Sequence, residues 1–397
     1  MKYAVILADG MADYPIAELG NKTPMEYAKK PNMDALCKDA SLYLVKTVPD
    51  SKSPGSDVAN LAVMGYDPEI YHRGRSSIEA ASMGVELAEN ETSFRTNLVT
   101  LSGDGEYEDL YMEDYSAGEI STAESSQILE TLKEKLNSDN VRFYNGISYR
   151  HLMVYCGGDT DFTLTPPHDI SGKPVKGHLP KSDVLLDLMK RSREILKDHP
   201  VNIKRRAEGK NTADSIWFWG EGKRSALPPF EEKFGVKGAV ISAVDLVRGI
   251  GRLGKMNVID VPNVTGTIDT NFDGKAQAVV KALFEDGYDY VYVHLEAPDE
   301  CGHQGQAFEK ARSIELIDEK IVAPIVSALK DNGGDFKIMI LPDHPTPVSV
   351  RTHTRDRVPC LMYDSRKRCD GAQTFNEKTC KTEVDSGPAL MDIFLDR

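Results

Sequence analysis

Short apolar runs and helically spaced apolar residues alternate along most of the chain. Residues 3–8, 290–295 and 337–341 are almost continuously apolar, which is typical of strands buried on both faces of a parallel sheet. Longer stretches with apolar residues three and four positions apart predict helices, among them 24–38 and 306–330. Further strands are predicted at 215–219, 240–242 and 257–259, and further helices at 58–64, 77–83 and 274–284. The alternation of strands and helices predicts an α/β fold, with a mostly parallel sheet between layers of helices.

The pattern changes between residues 89 and 211, where strands follow one another more closely. Strands are predicted at 94–101, 108–112, 141–144 and 149–155, and helices at 121–136 and 184–197. The resulting β-β-α-β-β-α order is that of a small α+β module. We therefore predict a discontinuous domain, 1–88 and 212–397, with a smaller α+β domain inserted at 89–211. The polar stretch 208–211 is predicted to be the linker that leaves the insertion.

Composition narrows the class of protein. Hydrophobic residues make up 40% and charged residues 28% of the 397 positions, which excludes a largely disordered or fibrous chain. The formal net charge of −14, without a basic tract, argues against nucleic acid or an anionic membrane surface as a partner. No apolar run approaches the about 18–20 residues that span a bilayer. The N-terminal apolar stretch soon reaches Asp9, so we expect a core strand there rather than a signal peptide. The six cysteines include no C-x-x-C pair, which indicates reduced thiols and a cytoplasmic protein.

Potential metal ligands follow three of the predicted strands. They are Asp9 after the first strand, Asp299 and His303 after 290–295, and Asp343, His344 and His353 after 337–341. Ligands of an open α/β sheet bind beyond the carboxyl ends of its strands, so we expect these side chains at one edge. Asp299 and His303 are four residues apart and face the same way if their segment is helical. The alternative is that acidic residues at strand ends cap helices or lie in solvated loops.

The ligand types indicate which ions would bind. Mixed carboxylate and imidazole ligation suits Mn²⁺, Zn²⁺ or Co²⁺, and suits Mg²⁺ less well. Six side chains exceed what one catalytic ion with an open position needs. They suit two divalent ions, which can act on the attacking and leaving oxygens of a phosphoryl transfer.

Ser56 is the candidate nucleophile. It lies in the sequence Ser-Pro-Gly-Ser-Asp at 53–57, directly before the helical run 58–64, so Ser56 or Asp57 is expected to cap that helix. A serine hydroxyl is a weak nucleophile that metal coordination can activate. At the start of a helix its oxygen would face free N–H groups and the positive dipole end, which suits a phosphoserine. A plain N-cap serine is the alternative interpretation of the local sequence.

Several polar residues are candidate contacts for an anionic substrate. They are Arg75, Arg95, Arg150, His151, His168 and Asp169. Arginine can hold phosphate or carboxylate with two parallel hydrogen bonds, although a solvated surface charge is the more common explanation of each arginine alone. His151 lies in an apolar strand and is alternatively a core histidine. We interpret Trp217 and Trp219 as core residues first and as a substrate wall second.

Taken together, the motifs are similar to those of a known family. They are Ala8-Asp9-Gly10-Met11, the segment 54–61 around Ser56, the segment 296–303, Asp343-His344 and Thr352-His353-Thr354. This set resembles the cofactor-independent phosphoglycerate mutases, and most closely their archaeal-type branch within the alkaline phosphatase superfamily. The resemblance extends over nearly the whole chain. It implies an alkaline-phosphatase-like α/β domain with a smaller substrate-gripping domain.

The resemblance also implies roles for individual residues. Ser56 matches the serine that carries the phosphoryl group. Two divalent metals, usually manganese, are expected. Asp9, Asp343 and His344 match the ligands that hold one metal together with Ser56, and Asp299, His303 and His353 match the ligands of the other.

The implied reaction interconverts 3-phosphoglycerate and 2-phosphoglycerate without 2,3-bisphosphoglycerate, while the glycerate stays enclosed. His168, Asp169 and His151 are candidates for the acid/base group that serves the glycerate hydroxyl. The substrate-grip motifs of the longer bacterial mutases are not recognisable here. A sister phosphotransferase such as a homoserine kinase of threonine biosynthesis is therefore the main alternative, followed by a hydrolase of the superfamily. A non-catalytic binding protein is disfavoured because all seven metal and serine positions are retained.

Overall fold

The structure is a computed structural model that describes residues 1–157 and 162–397 of the chain. The strands are β1 (Lys2–Ala8), β2 (Ser41–Val45), β3 (Glu91–Ser102), β4 (Tyr111–Asp114), β5 (Val141–Ile147), β6 (Arg150–Cys156), β7 (Ser215–Lys223), β8 (Gly238–Ile241), β9 (Asn257–Val258), β10 (Tyr290–Leu295), β11 (Phe336–Leu341), β12 (Val358–Asp364) and β13 (Thr382–Val384). The α-helices are α1 (Pro24–Tyr27), α2 (Pro31–Cys37), α3 (Ser56–Val63), α4 (Pro68–Tyr71), α5 (Arg75–Ser82), α6 (Thr122–Leu136), α7 (Asp183–Leu196), α8 (Pro200–Ala207), α9 (Phe230–Phe234), α10 (Asp245–Leu253), α11 (Phe272–Phe284), α12 (Ala297–Gln304), α13 (Ala307–Ile317), α14 (Ala323–Asp331) and α15 (Ala389–Phe394).

The chain divides into two compact units. The larger unit consists of Met1–His72 and Ala226–Arg397, and the inserted unit consists of Arg73–Ser225. The sequence had suggested a shorter insertion, 89–211. The difference arises because β7 pairs with β3 along most of its length, and α5 packs against the same two strands.

The sheet of the larger unit brings the candidate ligands to one edge. Its strand order is β13-β2-β12-β11-β1-β10-β8-β9. β1 pairs in parallel with both β10 and β11, so that Ala8 lies opposite Leu295 and Leu7 lies opposite Leu341. These three strands therefore end side by side, and the residues that follow them meet at the same edge. The predicted α/β class with a mostly parallel sheet is confirmed; β12, which runs antiparallel to β11 and β2, is the exception.

Two helices predicted as continuous are interrupted. The predicted helix 24–38 is two short helices, because Pro31 cannot donate to a preceding turn and therefore starts the new helix α2. The predicted helix 306–330 contains a π-helical segment, Asp318–Val322, between α13 and α14. The Asp318 carboxylate accepts hydrogen bonds from the backbone N–H groups of Asn32 and Met33, and thereby caps the start of α2.

The inserted unit has its own antiparallel sheet, in the order β4-β3-β6-β5, with β7 also paired to β3. The sequence predicts that β7 begins the second part of the α/β domain, but β7 instead pairs antiparallel with the long strand β3. The stretch 208–211 therefore leads from α8 into β7 of the same unit and is not its exit linker. Phe94, Trp217 and Phe218 are buried in the core of this unit. Across both described parts of the chain, no helix is sufficiently long and apolar to traverse a membrane.

Candidate metal centre

Asp9, Asp343 and His344 form the first cluster at the edge of the larger unit's sheet. All three are buried, and their ligand atoms lie within 4.8 Å of one another. His344 Nε2 is 3.7 Å from Asp9 Oδ1 and 3.4 Å from Asp343 Oδ2. Asp343 is held in place by Asn60, whose side-chain amide donates to Asp343 Oδ2 over 2.7 Å. The strand ends thus bring Asp9 together with Asp343 and His344, which follow a strand near the other end of the sequence.

The electrostatics of the first cluster favour a bound cation. Burial raises the pKa of Asp9, and the neighbouring carboxylates of Asp343 and Asp299 raise it further. Asp9 Oδ2 accepts a hydrogen bond of 2.9 Å from His294 Nε2, whereas Asp9 Oδ1 is buried without a hydrogen-bond partner among the described residues. Burial lowers the pKa of His294 to about 3, so this ring is neutral and does not balance the charge. Two buried carboxylates with an unpaired oxygen are costly without a positive charge between them, so the residues fit a divalent ion.

Asp299, His344 and His353 form the second cluster, in which His344 is shared with the first. The segment after β10 is helical, so Asp299 and His303 lie on one face of α12, with His303 Nε2 3.3 Å from Asp299 Oδ2. His353 Nε2 is 3.5 Å from Asp299 Oδ1 and 3.0 Å from His303 Nε2. Both histidines thus direct the same ring nitrogen towards one carboxylate.

The hydrogen bonds of these two histidines explain why they would hold a metal. His303 Nδ1 lies 3.0 Å from the Arg351 carbonyl oxygen, and His353 Nδ1 lies 3.4 Å from the Pro54 carbonyl oxygen. A carbonyl only accepts, so each Nδ1 carries a proton, and a bound ion that displaces any proton from Nε2 would find both Nε2 atoms available as ligands. A hydrogen bond to Asp299 raises the pKa of His303 to about 9. Burial alone would raise the pKa of Asp299, but its hydrogen bonds to His303 and His353 hold it well below its usual range. A positive charge is therefore stabilised at this point.

Ser56 is the first residue of α3, and Gly55 occupies the N-cap position. The expectation that Ser56 or Asp57 caps the helix is wrong, because the helix begins one residue earlier than that arrangement requires. The Asp57 carboxylate instead lies 2.9 Å from His72 Nε2. Ser56 Oγ lies 3.2 Å from His344 Nε2, beside the ring shared by both clusters. Its place at the first position of α3 puts Ser56 beside the positive end of the helix dipole.

Three residues that support the site were not identified from the sequence. Asn60 lies one helical turn after Ser56 and donates both to Asp343 and to the Ser56 carbonyl. His294 lies within the predicted strand 290–295, and a histidine directly before a predicted ligand segment is a usable signal. Thr346 lies two residues after His344 and contacts the second cluster. No sequence pattern distinguishes its hydroxyl from that of an ordinary loop threonine.

The candidate substrate residues of the inserted unit are only partly brought together. Arg95 is buried; its guanidinium lies 3.9 Å from the centre of the Trp219 ring, and its Nε is 3.0 Å from Glu79 Oε2. Arg75 contacts the other Glu79 oxygen at 3.3 Å. Arg150 lies over the Tyr149 ring, 5.4 Å from its centre. Trp217 is a core residue, as expected, while Trp219 is half-buried and covers Arg95.

The remaining candidates of the inserted unit differ in exposure. His151 is buried: its Nδ1 accepts from the Gly146 N–H, while its Nε2 has no hydrogen-bond partner among the described residues. This arrangement agrees with the alternative of a core histidine. His168 and Asp169 lie in the exposed 3-10 turn Pro167–Ile170. The His168 ring packs edge-on against Trp219, with 5.1 Å between ring centres, which places it near Arg95.

Comparisons with known proteins agree on one family. Residues 38–202 match the model of the 2,3-bisphosphoglycerate-independent phosphoglycerate mutase family. A protein of that name from Methanothrix thermoacetophila is 47% identical over 382 residues, covering 95% of this chain and 94% of the relative. A solved Pyrococcus horikoshii protein superimposes with a TM-score of 0.82 at 29% identity, covering 100% of this chain and 96% of the other. The cofactor-independent phosphoglycerate mutase of Thermoplasma acidophilum gives a TM-score of 0.69 at 25% identity, covering 100% and 99%.

These comparisons give no support to the homoserine kinase alternative. The near-complete coverage of a relative that is 47% identical is decisive, because it includes both sequence halves of the larger unit and the whole insertion. This chain is therefore a member of the 2,3-bisphosphoglycerate-independent phosphoglycerate mutase family.

Proposed function

We propose that the protein interconverts 3-phosphoglycerate and 2-phosphoglycerate in glycolysis and gluconeogenesis, with Ser56 as the transient phosphoryl carrier. The observation that carries this proposal is the position of Ser56 Oγ, 3.2 Å from His344 Nε2 at the start of α3. Membership of the family supports the same reaction. The small phosphorylated metabolite is thus the partner of the site.

Two divalent metal ions are part of the proposal, and manganese suits the mixed ligands best. Asp9, Asp343 and His344 would hold one ion together with Ser56. Asp299, His303 and His353 would hold the other. When bound, such ions lower the pKa of a coordinated hydroxyl and neutralise charge on phosphoryl oxygens.

The residues of the chain then perform a two-step transfer. In the first step, the bond from phosphorus to the substrate's O3 breaks, a bond to Ser56 Oγ forms, and O3 gains the proton that Ser56 loses. In the second step, the bond from phosphorus to Ser56 Oγ breaks, a bond to O2 of the glycerate forms, and the proton that O2 loses passes to Ser56. The N-terminal end of α3 stabilises the negative phosphoserine between the steps.

We further propose the inserted unit as the substrate-gripping domain. Arg95, fixed between Trp219 and Glu79, is the first proposed contact, and Arg75 and Arg150 are additional contacts. His168 and Asp169 are exposed and remain proposed acid/base groups, whereas burial makes His151 the least suitable of the three. Exclusion of water is required in any case, because hydrolysis of phosphoserine would convert a mutase into a phosphatase.

The test is a ³¹P NMR time course with the metal-free protein reloaded with Mn²⁺ and given 3-phosphoglycerate without bisphosphoglycerate. We expect a growing 2-phosphoglycerate signal, which Ser56→Ala abolishes. Ser53→Ala, an exposed serine of the same loop, is the matched control and should retain activity. Release of inorganic phosphate alone would show a hydrolase. No change in a folded, metal-loaded sample would refute the mutase activity.

A further inference from the structure

The Thr346 side chain bridges the two clusters of the candidate metal centre. Thr346 is fully buried, at 0% exposure. Its Oγ lies 2.5 Å from Asp299 Oδ1 in the second cluster and 3.3 Å from Nδ1 of His344, the ligand shared by both clusters. A single hydroxyl thus contacts a carboxylate and an imidazole of the proposed metal site, without taking part in the proposed ligation itself.

The direction of these hydrogen bonds follows from the groups involved. An ionised carboxylate only accepts, so the single Thr346 proton is donated to Asp299. Towards His344 the hydroxyl oxygen can then only accept, so His344 Nδ1 must carry the ring proton. In the neutral ring this leaves a lone pair on Nε2, which is the atom that faces Asp9, Asp343 and Ser56.

Thr346 is itself held rigidly. The buried Lys310 ammonium donates to the Thr346 carbonyl over 2.8 Å and to Asp13 Oδ2 over 2.8 Å. Two glycines leave room for the threonine: a Cβ on Gly10 would lie 2.6 Å from Thr346 Oγ1, and a Cβ on Gly302 would lie 2.3 Å from its carbonyl oxygen. The loops after β1 and β11 and the helix α12 are thereby packed around one residue. The hydroxyl has little freedom to rotate away from its two partners.

We infer that Thr346 is a positioning residue that fixes the metal-binding tautomer of His344 and couples the two metal clusters. The inference rests on the proposed metal-dependent function, and it concerns residues that only support the ligands. Loss of such a supporting contact typically lowers metal affinity by about 10- to 100-fold. Because His344 belongs to both clusters, removal of the hydroxyl should weaken both metals and not only one.

The first experiment is calorimetric titration of the metal-free, full-length protein with Mn²⁺. We expect two ions per chain for the wild type, affinities about 10- to 100-fold weaker for Thr346→Val, and near wild-type binding for Thr346→Ser. Thr100→Val is the matched control, since Thr100 is also buried and donates its hydroxyl to a backbone carbonyl in the inserted unit. If circular dichroism shows that Thr346→Val is unfolded, Thr346→Ala removes the hydroxyl without adding bulk.

The second experiment reads the tautomer directly, by long-range ¹H–¹⁵N NMR of histidine-labelled, metal-free protein. We expect His344 with a protonated Nδ1 in the wild type and in Thr346→Ser, and a mixture of tautomers in Thr346→Val. Wild-type His344 protonated on Nε2 would overturn the inference. The inference would also be overturned if the valine or alanine variant bound Mn²⁺ as tightly as the wild type, or if the serine variant bound it as weakly as the valine variant. Absence of Mn²⁺ binding by the wild type would overturn it too. Failure of the mutase assay with normal Mn²⁺ binding would refute the proposed reaction alone.

Discussion

The metal clusters of the larger unit and the basic residues of the inserted unit hold their charges in different ways. In the clusters, buried carboxylates and imidazoles face each other, and Asp9 Oδ1 has no hydrogen-bond partner within residues 1–157 and 162–397. In the inserted unit, Arg95 is already paired with Glu79 and stacked on Trp219. The first region is thus incomplete without a cation, whereas the second keeps an excess of positive charge, because the single carboxylate of Glu79 faces both Arg75 and Arg95. A binding site for a permanent ion and a binding site for an exchanging substrate are expected to differ in this respect.

The largest expected effect is that of Gly10→Ala, which should disrupt the clusters of the larger unit. Gly10 has φ +63°, and a Cβ there would lie 2.7 Å from Asp299 Cα. Gly10→Ala should lower the free energy of unfolding by about 2–5 kcal/mol, from backbone strain and overpacking, and should displace Asp299. Urea unfolding and bound Mn²⁺ measure the two effects. Gly20→Ala is the matched control, with φ +71° but no atom within 4 Å, and should cost only about 1 kcal/mol. Equal losses in both variants would contradict the close approach at Gly10.

The next prediction tests whether His151 belongs to the core of the inserted unit and not to its basic surface. Burial lowers the pKa of His151 to about 4, from 6.5 in an unfolded chain. The unfolded state therefore takes up a proton at higher pH, and the free energy of unfolding falls as the pH drops from about 6.5 to about 4, by about 3 kcal/mol. His151→Asn should lack this component, because asparagine does not titrate. Urea unfolding of both proteins between pH 8 and 4 measures it. A constant difference across that range would place His151 in solvent and contradict its burial.

The smallest of the three expected effects tests whether Arg95 contacts the substrate. Arg95→Lys removes the stacking on Trp219 and the planar geometry that holds an oxyanion with two hydrogen bonds. We expect kcat/KM for 3-phosphoglycerate to fall about 10- to 100-fold, with Mn²⁺ binding unchanged. Arg191→Lys, at an exposed ion pair with Asp187, is the matched control and should have little effect. Unchanged kinetics in Arg95→Lys would show that Arg95 serves only the packing of the inserted unit.

The sequence predicted the grouping of the candidate metal ligands better than that of the candidate substrate contacts, for a physical reason. Asp9, Asp299 and Asp343 follow continuous apolar strands, and the geometry of a parallel sheet brings such strand ends together whatever the loops do. Arg95 and Trp219 meet through an antiparallel register between β3 and β7 that includes a shift, and no local pattern indicates that register. The same long-range pairing explains why the predicted boundary at 211 lies inside the inserted unit.

Local signals also had limits within the larger unit. Pro31 was visible in the sequence, and its effect on the helix could have been predicted. The π-helical segment at Asp318 could not, because its carboxylate caps α2, a helix that lies near the other end of the sequence. Thr346 could not be identified from the sequence either, because its importance depends on contacts with Asp299 and His344 that only the fold creates.

The central position of β1 has a consequence for how the chain folds. β1 is synthesised long before its neighbours in the sheet, because Tyr3 pairs with Tyr290 and Lys2 pairs with Phe336. During translation this apolar strand therefore stays unpaired until β10 and β11 have left the ribosome. Closing such long loops slows folding. The inserted unit has its core entirely within Arg73–Ser225 and can form earlier. Refolding should therefore show a slow final phase in which β1 pairs with β10 and β11 and the candidate metal ligands first meet.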